Sequence, residues 1–377
     1  MNIPFNPSEI ASDALFAGRE KEVTILTENF LSGKNTIILS HLKEGKSSLF
    51  ARAISLSSDK DIDFKVCRIS SADITGEADF CRILVQQILF SLSTGVEESM
   101  GFLSRCFPSS DPRIVVGNDG ALRLETDFSR CTQAQLFRTF DVVASYVEEK
   151  GVKLCLAVED IQQILQFNDP IEFYRHFSSS VRKSRNMFYC LFGSSVFRMH
   201  EFLKEASMSF KLHDSVITLQ QLKVSDFDTR LSDIFAASGK YLDPDNSSYL
   251  ADLAGAHPYY VNLLARQSWL MTSVVCTREI ISQAFESLLD VMCLSFQKYL
   301  QTMTDQQICY LRAIISGETS VSSAAVLNRF GITSATSASR SKASLLACDF
   351  IHYSDGRIRV ADPLMEKWLK RRFSIDR

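Results

Sequence analysis

Residues 40–47, with the sequence SHLKEGKS, carry the side chains whose types and spacing could most directly do chemistry. Gly45, Lys46 and Ser47 form the tripeptide that closes a phosphate-binding loop of the pattern GxxxxGKS or GxxxxGKT. In such a loop the backbone N–H groups cradle phosphates, the lysine reaches the terminal phosphates and the hydroxyl binds Mg²⁺. Ser40 stands where the pattern has its first glycine, and serine fits there only if its φ is not positive. The spacing therefore predicts a site for ATP or ADP with Mg²⁺, and it leaves the strength of binding open.

The segments on either side of this loop favour the same interpretation. Residues 36–39 (TIIL) are a short apolar run typical of a buried parallel strand, and residues 48–54 continue at helical spacing. The alternative is an ordinary helix start with a solvated lysine, and the order strand, loop, helix favours the phosphate loop over it. The residues expected to contact nucleotide here are Glu44, Gly45, Lys46, Ser47 and Ser48.

Two adjacent carboxylates, Glu159 and Asp160, follow the apolar run 154–158. In parallel sheets ligands gather at the carboxyl ends of strands, and phosphate-loop ATPases keep there one acid that orders Mg²⁺ and one that activates water. The alternative is that the two acids only start a helix, because Asp is a good N-cap. These ATPases usually have Asp before Glu. The inverted order predicts Glu159 in the metal shell with Ser47, Asp160 as a shorter catalytic arm, and slow or absent hydrolysis.

Apolar runs alternate with helical patterns along the chain, which predicts an α/β fold with a doubly wound parallel sheet. The predicted strands are 36–39, 64–69, 152–158, 187–192 and 216–219, and the predicted helices include 76–90, 133–149, 170–182 and 196–209. Residues 91–130 are less regular and contain turn signals, among them Asn118-Asp119-Gly120, which predict an insertion with a small hairpin.

The last 80 or so residues have the pattern of three helices and a hairpin. Helices are predicted at 304–315, at 321–330 (closed by Gly331) and at 334–347, and Asp355-Gly356 is a turn signal between alternating runs. Three helices and such a wing make a winged helix, which binds DNA or serves as a protein-docking or autoinhibitory module. The residues expected to contact DNA are Arg340, Lys342, Arg357 and Arg359, supported by Ser337, Ser339 and Ser341. Lys367, Lys370, Arg371 and Arg372 near the end of the sequence suit either DNA contact or protein docking.

Composition excludes several classes of protein. The chain has 377 residues, 46% of them hydrophobic and 23% charged, which is enough for one large core or for two to three smaller ones. No apolar run is long enough to span a bilayer and the first residues lack a signal pattern, so we expect a cytoplasmic protein without a membrane partner. The ten cysteines include no CxxC pair; we expect reduced core thiols and no zinc site. At a net charge of −3, nucleic acid must be met by a local basic surface.

Taken together, these motifs resemble the AAA+ ATPases of the STAND group, of archaeal and bacterial type, with a winged helix appended, and more distantly the origin-recognition ATPases. Residues 16–22 (FAGREKE) are similar to the family's FVGREXE box beside the adenine, which implies a role for Gly18 and Arg19. Residues 159–162 (EDIQ) are similar to the family's Asp-Glu-Phe-Gln strand end. Ser194 matches the polar sensor that touches the terminal phosphate, after the fourth strand.

The resemblance continues at residues 255–264 (GAHPYYVNLL), which are similar to the family's GGHPYYLQLL. From the residues alone, Pro258 suits the first position of a helix and the apolar side chains after it form an ordinary core face. The family match implies that His257 and Pro258 face the nucleotide. It also implies three domains: a phosphate-loop core at 1–222, a helical lid at 223–297 and a winged helix at 298–377.

Three functions follow from this resemblance. The first is a nucleotide-dependent switch that positions the winged helix for DNA or protein binding; the second is an active ATPase that loads or remodels a DNA-bound complex; the third is a nucleotide-free scaffold. A ring-forming motor supplies an arginine to the nucleotide of its neighbour, usually from the helix after the fourth strand. Here that helix, 196–209, has Arg198 near its start and only Lys204 near its end, so a ring motor is disfavoured. Arg182 and Arg185 are further candidates for this arginine. Whether the protein is an enzyme, which partner it has and whether it self-associates stay open at this point.

Overall fold

The computed structural model describes residues 3–7, 10–11, 15–58, 64–71, 74–108, 110–117, 122–128, 131–209, 214–354 and 356–373. The chain forms two compact units. The sheet unit comprises Lys21–Ser40 and Arg52–Leu219, and the loop-lid unit comprises Met1–Glu20, His41–Ala51 and Gln220–Arg377. The boundaries of the three predicted domains stay a prediction.

The strands, in chain order, are β1 Thr36–Leu39, β2 Lys65–Ser70, β3 Arg113–Val116, β4 Leu122–Glu125, β5 Leu154–Glu159, β6 Met187–Gly193, β7 Ser215–Thr218, β8 Tyr241–Leu242, β9 Val275–Cys276, β10 Ile351–Ser354 and β11 Arg357–Val360. The sheet unit holds a five-stranded sheet in the order β2-β5-β6-β1-β7, and every pairing in it is parallel. Strands β1 and β6 are buried along their whole length, as continuous apolar runs in a parallel sheet covered on both faces should be.

The helices, in chain order, are α1 Glu20–Ser32, α2 Lys46–Ser58, α3 Glu77–Leu92, α4 Val96–Cys106, α5 Gln133–Glu149, α6 Pro170–Lys183, α7 Val196–Ser209, α8 Asp228–Ala237, α9 Pro244–Leu253, α10 Pro258–Met271, α11 Arg278–Gln301, α12 Asp305–Ile315, α13 Ala324–Phe330, α14 Ala335–Ala347 and α15 Pro363–Arg372. Strands and helices alternate through the sheet unit, which confirms the predicted α/β class.

The insertion at residues 91–130 differs in part from the prediction. It contains the expected hairpin, β3 paired antiparallel with β4, although the turn at 118–120 lies outside the described residues. It also contains α4, which the sequence did not predict. Gly95 and Gly101 lower the helix propensity of this segment, and tertiary packing overrides it: Phe102 is buried and its ring stacks on Tyr146 of α5 at 4.2 Å.

In the loop-lid unit one apolar core runs from the lid helices α8–α11 into α12–α15. Helices α12–α14 and the β10–β11 hairpin form the predicted winged helix, and Gly331, with φ of 72°, ends α13 as expected. Helix α13 begins at Ala324 rather than at 321 because Ser323 occupies its N-cap position. Tyr260 of α10 donates a hydrogen bond to Asp362 Oδ2 (2.5 Å), and Asp362 caps α15, so lid and winged helix share a polar contact as well as a core.

All ten cysteines are free thiols, and six of them are buried, including Cys155 and Cys190. Cys348 is exposed, so the prediction of a core position was wrong for this residue, which follows the last turn of α14. Across the described ranges, none of the helices is both long and apolar enough to span a bilayer.

Candidate functional site

The loop at residues 40–47 has the backbone of an anion cradle. Its positive φ angles belong to Lys43 (61°) and Gly45 (90°) and not to Ser40, so serine replaces the first glycine of the pattern without strain. Helix α2 begins at Lys46, which leaves the N–H groups of its first turn without helical acceptors and directed at the loop. Ser47 is exposed, and the Lys46 ammonium donates to the His41 carbonyl (3.1 Å). These donors fit the phosphates of a nucleotide and a hydroxyl ligand for Mg²⁺.

Glu44, inside this loop, is buried and has protein partners. Its carboxylate lies 3.5 Å from the Arg19 guanidinium and 3.7 Å from His257 Nε2, and Arg19 also donates to the Glu44 carbonyl (3.3 Å). Burial raises the pKa of Glu44 to about 7, against the opposing effect of Arg19 and Lys46. A carboxylate that close to a phosphate site would repel the ligand if it were unpaired, and here a guanidinium and an imidazole face it.

The box at residues 16–22 is joined to the loop through Arg19. Gly18 and Arg19 both have left-handed backbones, with φ of 61° and 71°. A Cβ on Gly18 would lie 2.8 Å from the Leu222 side chain, so only glycine fits this approach. Arg19 is buried and donates to the Gln220 carbonyl (2.6 Å), which places the guanidinium between residue 220 and the phosphate loop.

The start of α10 lies against the phosphate loop. His257 is the N-cap residue and Pro258 the first residue of the helix, as the sequence predicts. His257 Nε2 donates to the Leu42 carbonyl (3.2 Å), and burial lowers the pKa of His257 to about 4. The Lys43 ammonium lies 3.6 Å from the centroid of the Tyr259 ring. The family pattern alone pointed to His257; the structure brings it to the loop, where its contacts are with the protein.

The wing of the winged helix also reaches the loop. His352 Nδ1 on β10 lies 2.7 Å from His41 Nε2, and the ring centroids are 4.6 Å apart. Burial lowers the pKa of both histidines, that of His41 to about 4, so one neutral ring donates and the other accepts. Sequence reasoning missed this contact because the partners are 311 positions apart, His352 stands in no motif and His41 occupies a position of the phosphate loop at which the pattern specifies no residue type.

In the sheet unit, Glu159 and Asp160 end β5. The Glu159 carbonyl accepts a hydrogen bond from the Ser71 N–H (3.2 Å) at the end of the neighbouring β2. Asp160 has φ of 55° and stands at the N-cap position of the 3₁₀ helix Ile161–Gln166, yet its side chain makes no capping hydrogen bond. The capping alternative therefore lacks its main interaction. A non-glycine residue in this conformation costs about 1 kcal/mol, as at many functional sites.

Asp160 and Ser194 are joined by Gln162. The Gln162 Nε2 group donates to Asp160 Oδ1 (3.1 Å) and to Ser194 Oγ (2.9 Å), while Gln162 Oε1 accepts from the Ser194 N–H (3.1 Å). The ends of β5 and β6, which pair in the sheet, thus meet through one amide. The sequence showed Gln162 only as part of a strand-end pattern. Its spacing of two from Asp160 was the available signal for this contact.

The remaining predicted residues have varied surroundings. Ser48 Oγ accepts from the Ala11 N–H (3.1 Å). Arg182, a candidate arginine finger, is paired with Asp214 (2.9 Å). Arg371 makes a two-pronged pair with Glu286, and its expected part in DNA contact or protein docking stays a prediction.

The winged helix presents most of the predicted DNA contacts to solvent. Arg340, Arg357 and Arg359 are exposed, and Lys342 is half-buried with its ammonium 5.3 Å from the centroid of the Tyr353 ring. Ser341 is buried, so it cannot support DNA contact as predicted: it lies on the side of α14 that carries Ala338 and Leu345 into the core.

Comparison with known proteins gives a family match at the C-terminal end. Residues 294–371 match the family model described as "Probable winged helix domain". No curated protein matches the sequence.

Solved structures match nearly the whole chain. The Walker-type ATPase PABY2304 of Pyrococcus abyssi is 15% identical with a TM-score of 0.66, and the alignment covers 94% of this chain and 96% of that one. The Aeropyrum pernix ORC2 protein in its ADPNP-ADP complexes is 11% identical, with 98% coverage of both chains and a TM-score of 0.61. The A. pernix ORC1 protein in complex with DNA is 12% identical, covering 96% and 95%, with a TM-score of 0.51.

These likenesses establish the fold. The chain has an AAA+ fold of the ORC/Cdc6 type, of the α/β class, with a parallel five-stranded sheet and a C-terminal winged helix. The predicted AAA+ resemblance is confirmed at this level, and membership of the STAND group stays a prediction.

Proposed function

We propose that the protein is a nucleotide-dependent switch, in which ATP with Mg²⁺ at the phosphate loop changes the position of the winged helix. One observation carries the proposal: within the loop-lid unit, the phosphate loop contacts the lid through His257 and the wing through His352. Because the loop contacts both elements, a nucleotide bound to the loop can change the position of the lid and of the wing.

The coupling has a specific route through the loop. Lys46 donates to the His41 carbonyl, and the ring of His41 contacts His352. To reach a terminal phosphate, Lys46 gives up its hydrogen bond to the His41 carbonyl, and this removes one of the contacts that hold His41 in its position against the wing. Phosphate binding therefore weakens the wing contact, and a docked wing opposes phosphate binding, as linkage requires.

The wing face involved is also its basic face. His352 is directly opposite Arg359, and Ser354 directly opposite Arg357, so these side chains lie on one face of the hairpin. His352 on that face contacts the phosphate loop while Arg357 and Arg359 stay exposed, so the wing presents both arginines to a DNA backbone. The A. pernix ORC1 structure with DNA supports DNA as the partner, and a partner protein or self-association is the other candidate.

Slow hydrolysis is part of the proposal. As the sequence motifs predict, Ser47 and Glu159 would supply ligands to a bound Mg²⁺ and Ser194 would touch the terminal phosphate. Asp160 would position water poorly because its side chain is one methylene shorter than the usual glutamate. We infer a STAND-type switch with a core, a lid and a winged helix, with Gly18 and Arg19 beside the adenine. An active ATPase is the alternative if Asp160 acts as the base, and the scaffold alternative is weakened by the retained cradle of Gly45, Lys46 and Ser47.

The test is nucleotide binding by Lys46→Ala. The wild-type protein is expected to bind Mg–ATP and to gain thermal stability in its presence, because a ligand of the folded state stabilises it; at a hundredfold excess over Kd the gain is about 2.7 kcal/mol. Lys46→Ala should lose at least about tenfold in affinity. Calorimetry measures the Kd and thermal unfolding the shift.

Lys34→Ala is the matched control, since it removes an exposed lysine and the same charge. Equal Mg–ATP affinity for all three proteins would overturn the proposed site. ATP hydrolysis by the wild type that is lost in Asp160→Ala would favour the active ATPase over the switch. A wild-type protein that binds no nucleotide would leave the nucleotide-free scaffold as the remaining function.

A further inference from the structure

The amide of Gln162 is fully committed to two residues of the candidate site. Both of its donor hydrogens are used, one on Asp160 Oδ1 and one on Ser194 Oγ, and its oxygen accepts from the Ser194 N–H. The carboxylate acceptor and the N–H donor fix which end of the amide carries the nitrogen. These hydrogen bonds hold the Gln162 amide in one orientation, so it connects Asp160 to Ser194.

The hydrogen bonds from Gln162 orient the side chains of both Ser194 and Asp160. Ser194 Oγ accepts from Gln162, which directs the hydroxyl proton of Ser194 away from the amide and leaves it to donate elsewhere. Asp160 has a left-handed backbone and no capping contact, so in the described part of the chain Gln162 is the residue whose hydrogen bond orients its carboxylate. A displacement of Ser194 therefore acts on the Asp160 carboxylate through the Gln162 side chain.

We propose that Gln162 is a positioning residue that couples the terminal-phosphate sensor Ser194 to the Asp160 carboxylate, so that a nucleoside triphosphate and a nucleoside diphosphate set different positions of Asp160. The inference rests on the proposed function, because it takes Ser194 as the sensor, and it adds the means by which the two nucleotides are told apart. A diphosphate has no terminal group for Ser194, so only the triphosphate engages the link.

The experiment compares Mg–ATP and Mg–ADP affinities of the wild-type protein, Gln162→Ala and Gln163→Ala by calorimetry. Gln163 is the matched control: it is the neighbouring glutamine, and its side chain accepts a hydrogen bond from Gln166 (2.9 Å). Gln162→Ala is expected to weaken Mg–ATP about tenfold and to change Mg–ADP less than twofold, while Gln163→Ala changes neither. Circular dichroism and thermal unfolding show whether each variant is folded.

A double-mutant cycle makes the coupling itself measurable. Ser194→Ala should show the same loss restricted to ATP, and Gln162→Ala/Ser194→Ala no further loss, because both changes break one link. Should Gln162→Ala fail to fold, Gln162→Glu retains the size of the side chain, puts a carboxylate against Asp160 and is expected to show the ATP-restricted loss.

Three results would overturn the inference. Equal losses for ATP and ADP would make Gln162 a structural residue, unchanged affinities would make it dispensable, and additive effects in the cycle would separate it from Ser194. A wild-type protein that binds neither nucleotide would overturn the proposed function as well, so the two failures are distinguishable.

Discussion

At the scale of single residues, the unusual feature is the polarity of the phosphate loop. Glu44 and His41 belong to the loop and His257 packs against it; Glu44 is buried, and burial lowers the pKa of both histidines to about 4. Arg19 and Lys46 supply positive charge against Glu44. The titratable groups of the loop are thus coupled, and the stability of the folded protein depends on their protonation.

We predict a specific pH dependence for Glu44→Gln. The pKa of Glu44 rises from 4.5 to about 7 on folding, so the folded state holds the proton more tightly. Its contribution to stability is fully present below pH 4.5 and is lost as pH rises to 7. The free energy of unfolding of the wild type minus that of Glu44→Gln should therefore fall across this range, by on the order of 2 kcal/mol.

Urea unfolding at several pH values between 4.5 and 8 measures this difference. His41 and His257, whose lowered pKa acts in the opposite sense, are present in both proteins and largely cancel. Glu97→Gln, at an exposed glutamate of α4, serves as control and should follow the wild-type curve. A difference that stays level or rises with pH would refute the assignment.

At the scale of elements, the informative contact is between the β10 strand and the phosphate loop. It consists of one short hydrogen bond between imidazoles, His41 and His352, in tilted ring contact. One neutral hydrogen bond contributes about 1 kcal/mol net, which is enough to bias a switch and weak enough to break on ligand binding.

We predict that His352→Ala raises the affinity for Mg–ATP by about fivefold, because phosphate binding no longer has to displace the wing. Fluorescence titration with a labelled nucleotide provides the measurement. His200→Ala is the control, as His200 is an exposed histidine of α7 in the sheet unit. A weaker affinity in His352→Ala would mean that the wing supports nucleotide binding and would reverse the direction of the proposed coupling.

At the scale of the whole molecule, charge restricts how nucleic acid can be bound. The net charge is −3, so long-range attraction to DNA is absent and a local basic surface must supply the contacts. Arg357 and Arg359 on the wing are such a surface, and both are exposed.

We predict that Arg357→Ala/Arg359→Ala weakens binding to duplex DNA and lowers the slope of log K against log salt concentration by about 2, since each phosphate contact contributes about 0.9. Fluorescence anisotropy at several salt concentrations gives this slope. Arg198→Ala/Lys204→Ala removes two exposed cations of α7 and is the control for net charge. The same slope in both double variants would exclude the wing as the DNA surface.

Much of the secondary structure and of the phosphate loop was predictable because it depends on local interactions. The strand, loop and helix around Lys46, the start of α10 at Pro258 and the end of α13 at Gly331 depend on residues a few positions apart, and their chemistry is visible in the sequence. Helix α4 was missed because Gly101 lowers its helix propensity and Gly95 precedes it, and tertiary packing stabilises it.

The long-range contacts of the phosphate loop could not be predicted from the sequence. Arg19 meets Glu44, His257 meets Leu42 and His41 meets His352 across 25 to 311 positions. Spacing along the chain carries no information about such pairs, since each depends on the path of the whole backbone. Sequence thus specified the phosphate cradle and the winged helix, and folding decided that lid and wing both close on the cradle, because a hydrogen bond between distant residues forms only where packing brings them together.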